Sequence, residues 1–340
     1  MQNHQNSMKA LRQPALLLVI LLSVLVVVLS VLSLFRNISS WYFELLDFPR
    51  LHYLILSLSL LVIFILLKKD WKWPGWLLVA GLVGAVIIQC SYILPYILGP
   101  KTVPDASAEE ITEANTVGIV IANVLMTNRH ADAFLDIVRT QKPDLILAME
   151  VDQWWVDQLQ TLRQEYPYAV EYPTDNAYGM ALYSRLPLGQ AEVKFLDDEK
   201  IPSIHAKVKM PATRDFWFHG VHPVAPVPSS RYPDGKGEKE VTLVQVGDMV
   251  AKDTLPSVVA GDFNDVSWSR TSRMFSARGK LGNVRLGRGL YCTFSADSYI
   301  ERWPLDHFFV TEDFRVHKLD RLPDFYSDHF ALYARLVLLK

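Results

Sequence analysis

The chain has 340 residues, with 34 basic and 36 acidic side chains, a formal charge of −2 and two cysteines. These values exclude a disordered chain, a collagen-like fibre and a small fold stapled by disulfides. They also hide a division. Residues 1–100 hold only 10 charged side chains, while the other 240 hold 60 and have the composition of an ordinary globular protein, large enough to bury its own core.

In chain order, the first element is an uncharged run of 21 residues from Ala15 to Phe35. At about 1.5 Å per residue it spans roughly 30 Å of hydrocarbon. A second apolar run covers 51–67 and a third covers 73–98, with Trp71, Trp73 and Trp76 placed where an interfacial belt would sit. The pattern predicts a membrane anchor of three transmembrane helices over residues 1–99. It does not fit a cleaved signal peptide, whose apolar region is about 7–15 residues. Lys9, Arg12, Lys68, Lys69 and Lys72 outnumber Arg36 and Arg50 in the flanks, which puts the N-terminus in the cytoplasm. Everything after Gly99 is then extracytoplasmic, in a bacterial inner or cell membrane. The lack of charge within the spans argues against a transporter.

Residues 100–115 are polar and acidic with two prolines and read as a linker, so the soluble domain covers 116–340. Its first segment, from Val117 to Met126, is apolar and β-branched, as a buried strand requires. A helix over Ala131–Gln141, a strand over Leu145–Met149 and a helix over about 151–165 follow. Strand patterns then recur at 168–172, 179–183, 191–195, 204–208 and 216–221. A Pro/Ser-rich loop at 223–236 leads to a helix over 238–252, then strands at 257–260, 304–310 and 330–338. This order implies a mixed α+β domain with two sheets face to face and helices outside. Cys90 lies in the third apolar run and Cys292 stands alone in the domain, so the domain holds no internal disulfide.

Polar side chains end apolar strands at several places, where loops gather into sites. Asn123 interrupts Ile119-Val-Ile-Ala; Glu150 ends Leu145-Ile-Leu-Ala-Met; His222 follows Phe216-Trp-Phe-His-Gly-Val. Asp262 and Asn264 follow Val258-Val-Ala-Gly, Asp306 stands in Leu305-Asp-His-Phe-Phe, and Asp328 and His329 precede Phe330-Ala-Leu. Singly, each has a structural explanation: a bulge at Asn123, a helix cap at Glu150, a turn at Gly261-Asp-Phe-Asn. Jointly, burying so many polar groups without partners would cost several kcal/mol apiece, and a shared cation relieves that cost. The donors are mainly oxygens, with no CxxC and no HExxH, which points to Mg²⁺, with Mn²⁺ as a substitute, rather than zinc. In an extended segment Asp262 and Asn264 share a face while Phe263 points into the core, and Asp306 likewise points away from His307.

The series Ile121-Ala-Asn-Val, Ala148-Met-Glu, Tyr183-Ser-Arg-Leu-Pro, Val221-His-Pro, Gly261-Asp-Phe-Asn, Leu305-Asp-His-Phe and Ser327-Asp-His-Phe resembles the endonuclease/exonuclease/phosphatase superfamily. That group includes deoxyribonuclease I, abasic-site endonucleases, neutral sphingomyelinases and inositol polyphosphate 5-phosphatases. The resemblance covers about Thr116 to Lys340 and implies a four-layered α/β sandwich. It implies that Glu150 is the principal metal ligand, helped by Asn123 and Asp328. Asp262 would orient or deprotonate the attacking water, and Asn264 would contact the scissile phosphate. His329, paired with Asp306, would stabilise developing charge, with His222 on the other side of the phosphate. Two features depart from the pattern. No acidic partner of His222 is evident, Glu171 and Asp175 being the candidates, and the tyrosine-bearing pattern of the abasic-site branch is missing around His222. Arg185 serves either the site or the fold.

The expected activity is that of a membrane-anchored, metal-dependent phosphoesterase acting on nucleic acid, a phospholipid or an inositol phosphate. The soluble part has 27 basic and 33 acidic residues and no Lys/Arg run, which disfavours tight sequence-independent DNA binding. The aromatic loop around Trp268 and the Pro-rich segment 223–233 are candidate bilayer contacts. The rival reading is a non-catalytic, membrane-tethered binding or sensor module on a decayed hydrolase fold.

Overall fold

The structure is a computed structural model that describes residues 2–35, 40–197, 199–225 and 238–339. The chain divides into two compact units, Met1–Pro95 and Tyr96–Lys340. The Pro-rich segment from 226 to 236, and Arg36, lie outside the described residues.

The first unit contains helix α1 (Gln2–Leu32), the single turn α2 (Trp41–Glu44), α3 (Arg50–Leu67) and most of α4 (Trp73–Ile97). Three stretches are long and apolar enough to cross a membrane: Arg12–Leu32, Arg50–Leu67 and Trp73–Ile97. Val26, Leu60, Phe64 and Leu82 form their shared core, while Leu17, Ile55 and Leu77 face outward, the reverse of what a water-soluble bundle would tolerate. One expectation is corrected here. Arg50 is not loop charge but the first residue of α3, fully buried and ion-paired with Asp47. Its guanidinium also donates to Ser33 Oγ and Gln89 Oε1 at 3.2 Å and to the Ser33 carbonyl at 3.0 Å. The cation is tolerated because its N–H groups are satisfied at one end of the helix bundle.

The second unit is built on two six-stranded sheets. One has the order β11-β12-β1-β2-β4-β3 and the other β5-β6-β7-β8-β10-β9. The strands are β1 (Thr116–Asn123), β2 (Leu145–Met149), β3 (Tyr168–Tyr172), β4 (Met180–Ser184), β5 (Leu188–Phe195) and β6 (Pro202–Val208). They continue with β7 (Phe216–Gly220), β8 (Ser257–Asp262), β9 (Gly282–Asn283), β10 (Asp306–Val310), β11 (Phe314–Arg321) and β12 (Leu332–Leu338). The pairs β1·β2 and β7·β8 are parallel and the other pairs antiparallel. Ile119, Leu147, Phe218, Val258, Phe308 and Leu336 fill the space between the sheets. Helices α5 (Ala131–Gln141) and α6 (Gln153–Leu159) cover the first sheet through Phe134 and Trp155. Helices α7 (Glu238–Lys252) and α8 (Arg270–Gly279) cover the second through Leu243, Val246 and Phe275. The result is the four-layered sandwich. Because both faces of β1 and β2 are covered, every residue in them is buried, which is why their sequences are continuous apolar runs rather than alternating ones.

Three details differ from the reading of the sequence. Residues 100–115, linker-like in composition, lie along the domain: Val103 is buried in the inter-sheet core and Asp105 bridges Val316 of β11. Strand β11 and helix α8 did not stand out in the sequence. Trp268, a candidate for bilayer contact, is instead buried at 5% exposure.

Candidate active site

The polar strand ends converge on one edge of the sandwich. Asn123 closes β1, Glu150 follows β2, His222 follows β7 and Asp262 closes β8. Asp306 opens β10 directly opposite Asp262 in the antiparallel register, so two strands of one sheet present carboxylates side by side. Gly261 makes this junction possible. Its φ is +145°, and a Cβ there would lie 2.0 Å from the Val221 carbonyl oxygen.

Asp262 is the hub. Its Oδ2 accepts from Asn123 Nδ2 at 3.2 Å and lies 3.5 Å from His329 Nε2 and 3.8 Å from His222 Nε2, while Oδ1 accepts from the Asn264 N–H at 2.8 Å. On its far side, His329 Nδ1 meets Asp306 Oδ2 at 2.8 Å. Asn123 Nδ2 also donates to Glu150 Oε1 at 2.9 Å, so one amide links the two carboxylates. Glu150 has φ +61° and Asn264 φ +51°, left-handed conformations that are sparsely populated for a glutamate and that cluster at functional sites.

The strand ends at Asp262, so Asn264 does not share its face in an extended segment. Its chain turns back, and Asn264 Nδ2 donates to the Pro223 carbonyl at 2.9 Å. Phe263 does enter the core, and His307 does point away from Asp306, to Ser267 Oγ at 2.9 Å.

Burial disfavours charge on His329, yet the facing carboxylates of Asp306 and Asp262 outweigh it and raise its pKa to about 10. The ring is therefore an imidazolium at neutral pH. Asp262 responds in kind: burial pushes its pKa up, but His329, His222 and the two hydrogen bonds bring it below the ordinary value. For Asp328, burial comes first and the Glu150 and Asp262 charges add to it; against the opposing pull of His329 they raise its pKa to about 6.

Three carboxylates thus crowd one another, and among the described residues Asp306 Oδ1 and His222 Nδ1 are buried without a hydrogen-bond partner. A divalent cation fits such a donor set. Asp262, Asp306 and His329 each offer a ligand atom within 4.8 Å of the others. His329 is already held between the two carboxylates, however, and hard oxygens lie on the Glu150, Asn123 and Asp328 side.

Several neighbours escaped the sequence. The Tyr178 ring lies 5.2 Å from that of His222, brought there from the segment before β4 with no motif to announce it. Arg285, fully buried, donates to the Asp306 carbonyl at 2.6 Å, and Thr293 Oγ1 receives the Asp306 N–H at 3.2 Å; both fix the strand that carries Asp306. Ser327 Oγ donates to the Asn123 carbonyl at 2.8 Å, tying β1 to the Asp328–His329 loop. Glu171 does not support His222, since it pairs with Arg163 at 3.1 Å on β3. Arg185 stands at the far end of the first sheet, paired with Glu165 at 2.7 Å and lying over Tyr166, and serves the fold.

The family model described as "Endonuclease/Exonuclease/phosphatase family" matches residues 120–329. No curated protein sequence matches the chain. Among solved structures, an endonuclease/exonuclease/phosphatase from Beutenbergia cavernae is 20% identical with a TM-score of 0.52, over 66% of this chain and 72% of that one. The human Nocturnin catalytic domain with bound sulfate is 16% identical at TM-score 0.53, over 67% and 96%. D. rerio TDP2 complexed with single-strand DNA product is 16% identical at TM-score 0.53, over 65% and 98%. At these identities the three likenesses speak for the fold.

Proposed function

The chain belongs to the endonuclease/exonuclease/phosphatase family, whose members are phosphoesterase hydrolases, and from that premise we propose that it is a membrane-anchored, metal-dependent phosphoesterase. Its substrate is a phosphodiester or phosphomonoester of nucleic acid, a phospholipid or an inositol phosphate. The observation that carries this reading is Asp262, a buried carboxylate fixed by two hydrogen bonds and facing two imidazoles. A phosphate ester is anionic and resists attack, so the site must supply a positioned water and positive charge on the non-bridging oxygens.

Asp262 Oδ2 receives the proton of the water as its oxygen bonds to phosphorus and the bond to the leaving oxygen breaks. The imidazolium of His329, oriented by Asp306, donates to a non-bridging oxygen as charge grows there. His222 approaches from the other side, and Asn264 contacts the same phosphate. Glu150, Asn123 and Asp328 would hold Mg²⁺ or Mn²⁺, which when bound neutralises phosphate charge and eases departure of the leaving oxygen.

The three long apolar helices serve as the anchor. Lys68, Lys69 and Lys72 favour a cytoplasmic N-terminus and an extracytoplasmic domain, in a bacterial inner or cell membrane.

The test uses the full chain in detergent micelles with plasmid DNA, sphingomyelin and inositol phosphates as parallel substrates. Hydrolysis of at least one of them with Mg²⁺ that stops with chelator is expected. Absence of hydrolysis with both Mg²⁺ and Mn²⁺ would favour the binding or sensor module instead.

A further inference from the structure

Beside the catalytic centre stands a stack of alternating rings and guanidiniums that the chemistry above does not use. The Arg302 guanidinium lies 5.0 Å from the ring centroid of Tyr299 and 5.1 Å from that of Phe330, and the Arg321 guanidinium lies 4.4 Å from Phe330. The order is therefore Tyr299, Arg302, Phe330, Arg321. Phe330 immediately follows His329 in the chain. The hairpin that carries Tyr299 and Arg302 borders the site as well: Ala296 N–H donates to the Asp328 carbonyl at 2.7 Å, and the Phe294 ring lies 5.0 Å from that of His329.

Two like charges on one phenyl ring repel, and here no carboxylate among the described residues neutralises them. Among the described residues no carboxylate pairs with Arg302 or Arg321, although Asp297 and Glu301 lie on the same hairpin and Asp320 precedes Arg321. Asp320 is taken by Lys318. Both guanidiniums are nevertheless held in place, Arg302 Nε donating to the Ser298 carbonyl at 2.6 Å and Arg321 Nη1 to the Cys292 carbonyl at 2.9 Å. Most of Arg321's five N–H groups remain for another acceptor. Burial and the Arg302 charge both lower the pKa of Arg321, as expected of two unscreened neighbours. Tyr299 is 94% exposed at the end of the stack, an open aromatic face in water. In a domain of net negative charge, a fixed and unneutralised pair of arginines is an anion site, and planar guanidiniums suit phosphate.

We propose that Arg302 and Arg321 form a second phosphate subsite, which binds a phosphate group of the substrate other than the one being cleaved. The inference rests on the phosphoesterase reading and narrows it: the preferred substrate carries at least two phosphates, with the second placed beyond His329. That chemistry has two sources, the next phosphate of a nucleotide chain and a further phosphomonoester on an inositol head group.

The experiment measures equilibrium binding by calorimetry to the full chain in detergent with chelator present, so that turnover plays no part. One arm compares thymidine 3′,5′-bisphosphate with thymidine 5′-monophosphate. The other compares glycerophosphoinositol 4-phosphate with glycerophosphoinositol. Within each pair the ligands differ by one phosphate. In at least one arm the extra phosphate is expected to tighten binding ~10-fold, the effect of a charge-assisted contact. That ratio should fall to near one in Arg321→Gln and Arg302→Gln and be partly kept in Arg321→Lys. The arm that shows it names the source of the second phosphate. A ratio near one in both arms of the wild type, or a ratio that survives both glutamine variants, would overturn the subsite. Metal-dependent hydrolysis of a singly phosphorylated ester is read in a separate assay, so loss of the subsite and loss of the phosphoesterase reading are told apart.

Discussion

His329 keeps its proton because Asp306 and Asp262 face it from two sides, and removing one of them should register in rate and pH profile together. In Asp306→Asn the neutral amide keeps the shape but not the charge that raises the imidazole pKa to about 10. A fall in kcat/KM of roughly 100-fold is expected, with the alkaline limb of the rate profile moving to lower pH. An unchanged alkaline limb would remove Asp306 from this role. Most of this residue-level picture was legible in advance. Asn123, Glu150, His222, Asp262, Asp306, Asp328 and His329 all stand at the ends of apolar strands, and the fold brings those ends to one edge. What the sequence withheld came from loops without a pattern. Tyr178 reaches His222 from the segment before β4, and Arg285 acts through a backbone carbonyl, a contact that leaves no mark on spacing.

At the scale of elements, the junction of β7 and β8 depends on a residue without a side chain. Gly261→Ala would place a methyl group against the Val221 carbonyl in a conformation that L residues avoid. A loss of about 3 kcal/mol is expected, seen as a lower unfolding midpoint; a midpoint within error of wild type would contradict it. The outer face of β6 and β7 carries a second liability. His205 Nδ1 and His219 Nδ1 lie 2.7 Å apart, both buried. Burial lowers the pKa of His205 to about 2, with the His219 and Lys194 charges adding to it, and that of His219 to about 4, against the opposing pull of Asp253. The unfolded chain, with imidazoles near 6.5, binds more protons than the folded one below that pH, so stability is full above it and is lost as pH falls. Denaturant midpoints should drop between pH 7 and pH 5 by the equivalent of roughly 2 kcal/mol per histidine, and His219→Gln should flatten the slope. Elements were legible wherever burial wrote an apolar pattern. Strand β11 escaped because it is an edge strand whose Arg315, His317, Lys318 and Asp320 break the run, and α8 because only a few residues, Phe275 the largest, face the core.

For the whole molecule, the distribution of charge separates an apolar first part from a mixed second part, and the chain folds as two compact units, Met1–Pro95 and Tyr96–Lys340. The sequence misjudged charge within the first unit at Arg50, because its burial depends on partners far apart in the chain, Ser33 just after α1 and Gln89 in α4, besides Asp47 in the turn before α3. Orientation is testable directly: a reporter enzyme fused after Lys101 should be active only if it requires the extracytoplasmic side, and activity of a cytoplasm-dependent reporter would reverse the proposed topology. Asp262 carries the central proposed step, because its carboxylate receives the proton of the attacking water. The decisive measurement is the rate at which the full chain hydrolyses a simple phosphodiester with Mg²⁺, wild type beside Asp262→Asn, with folding checked by an unchanged melting temperature. A fall of about 1000-fold or more is predicted, and a variant that turns over like the wild type would contradict the assignment of this site.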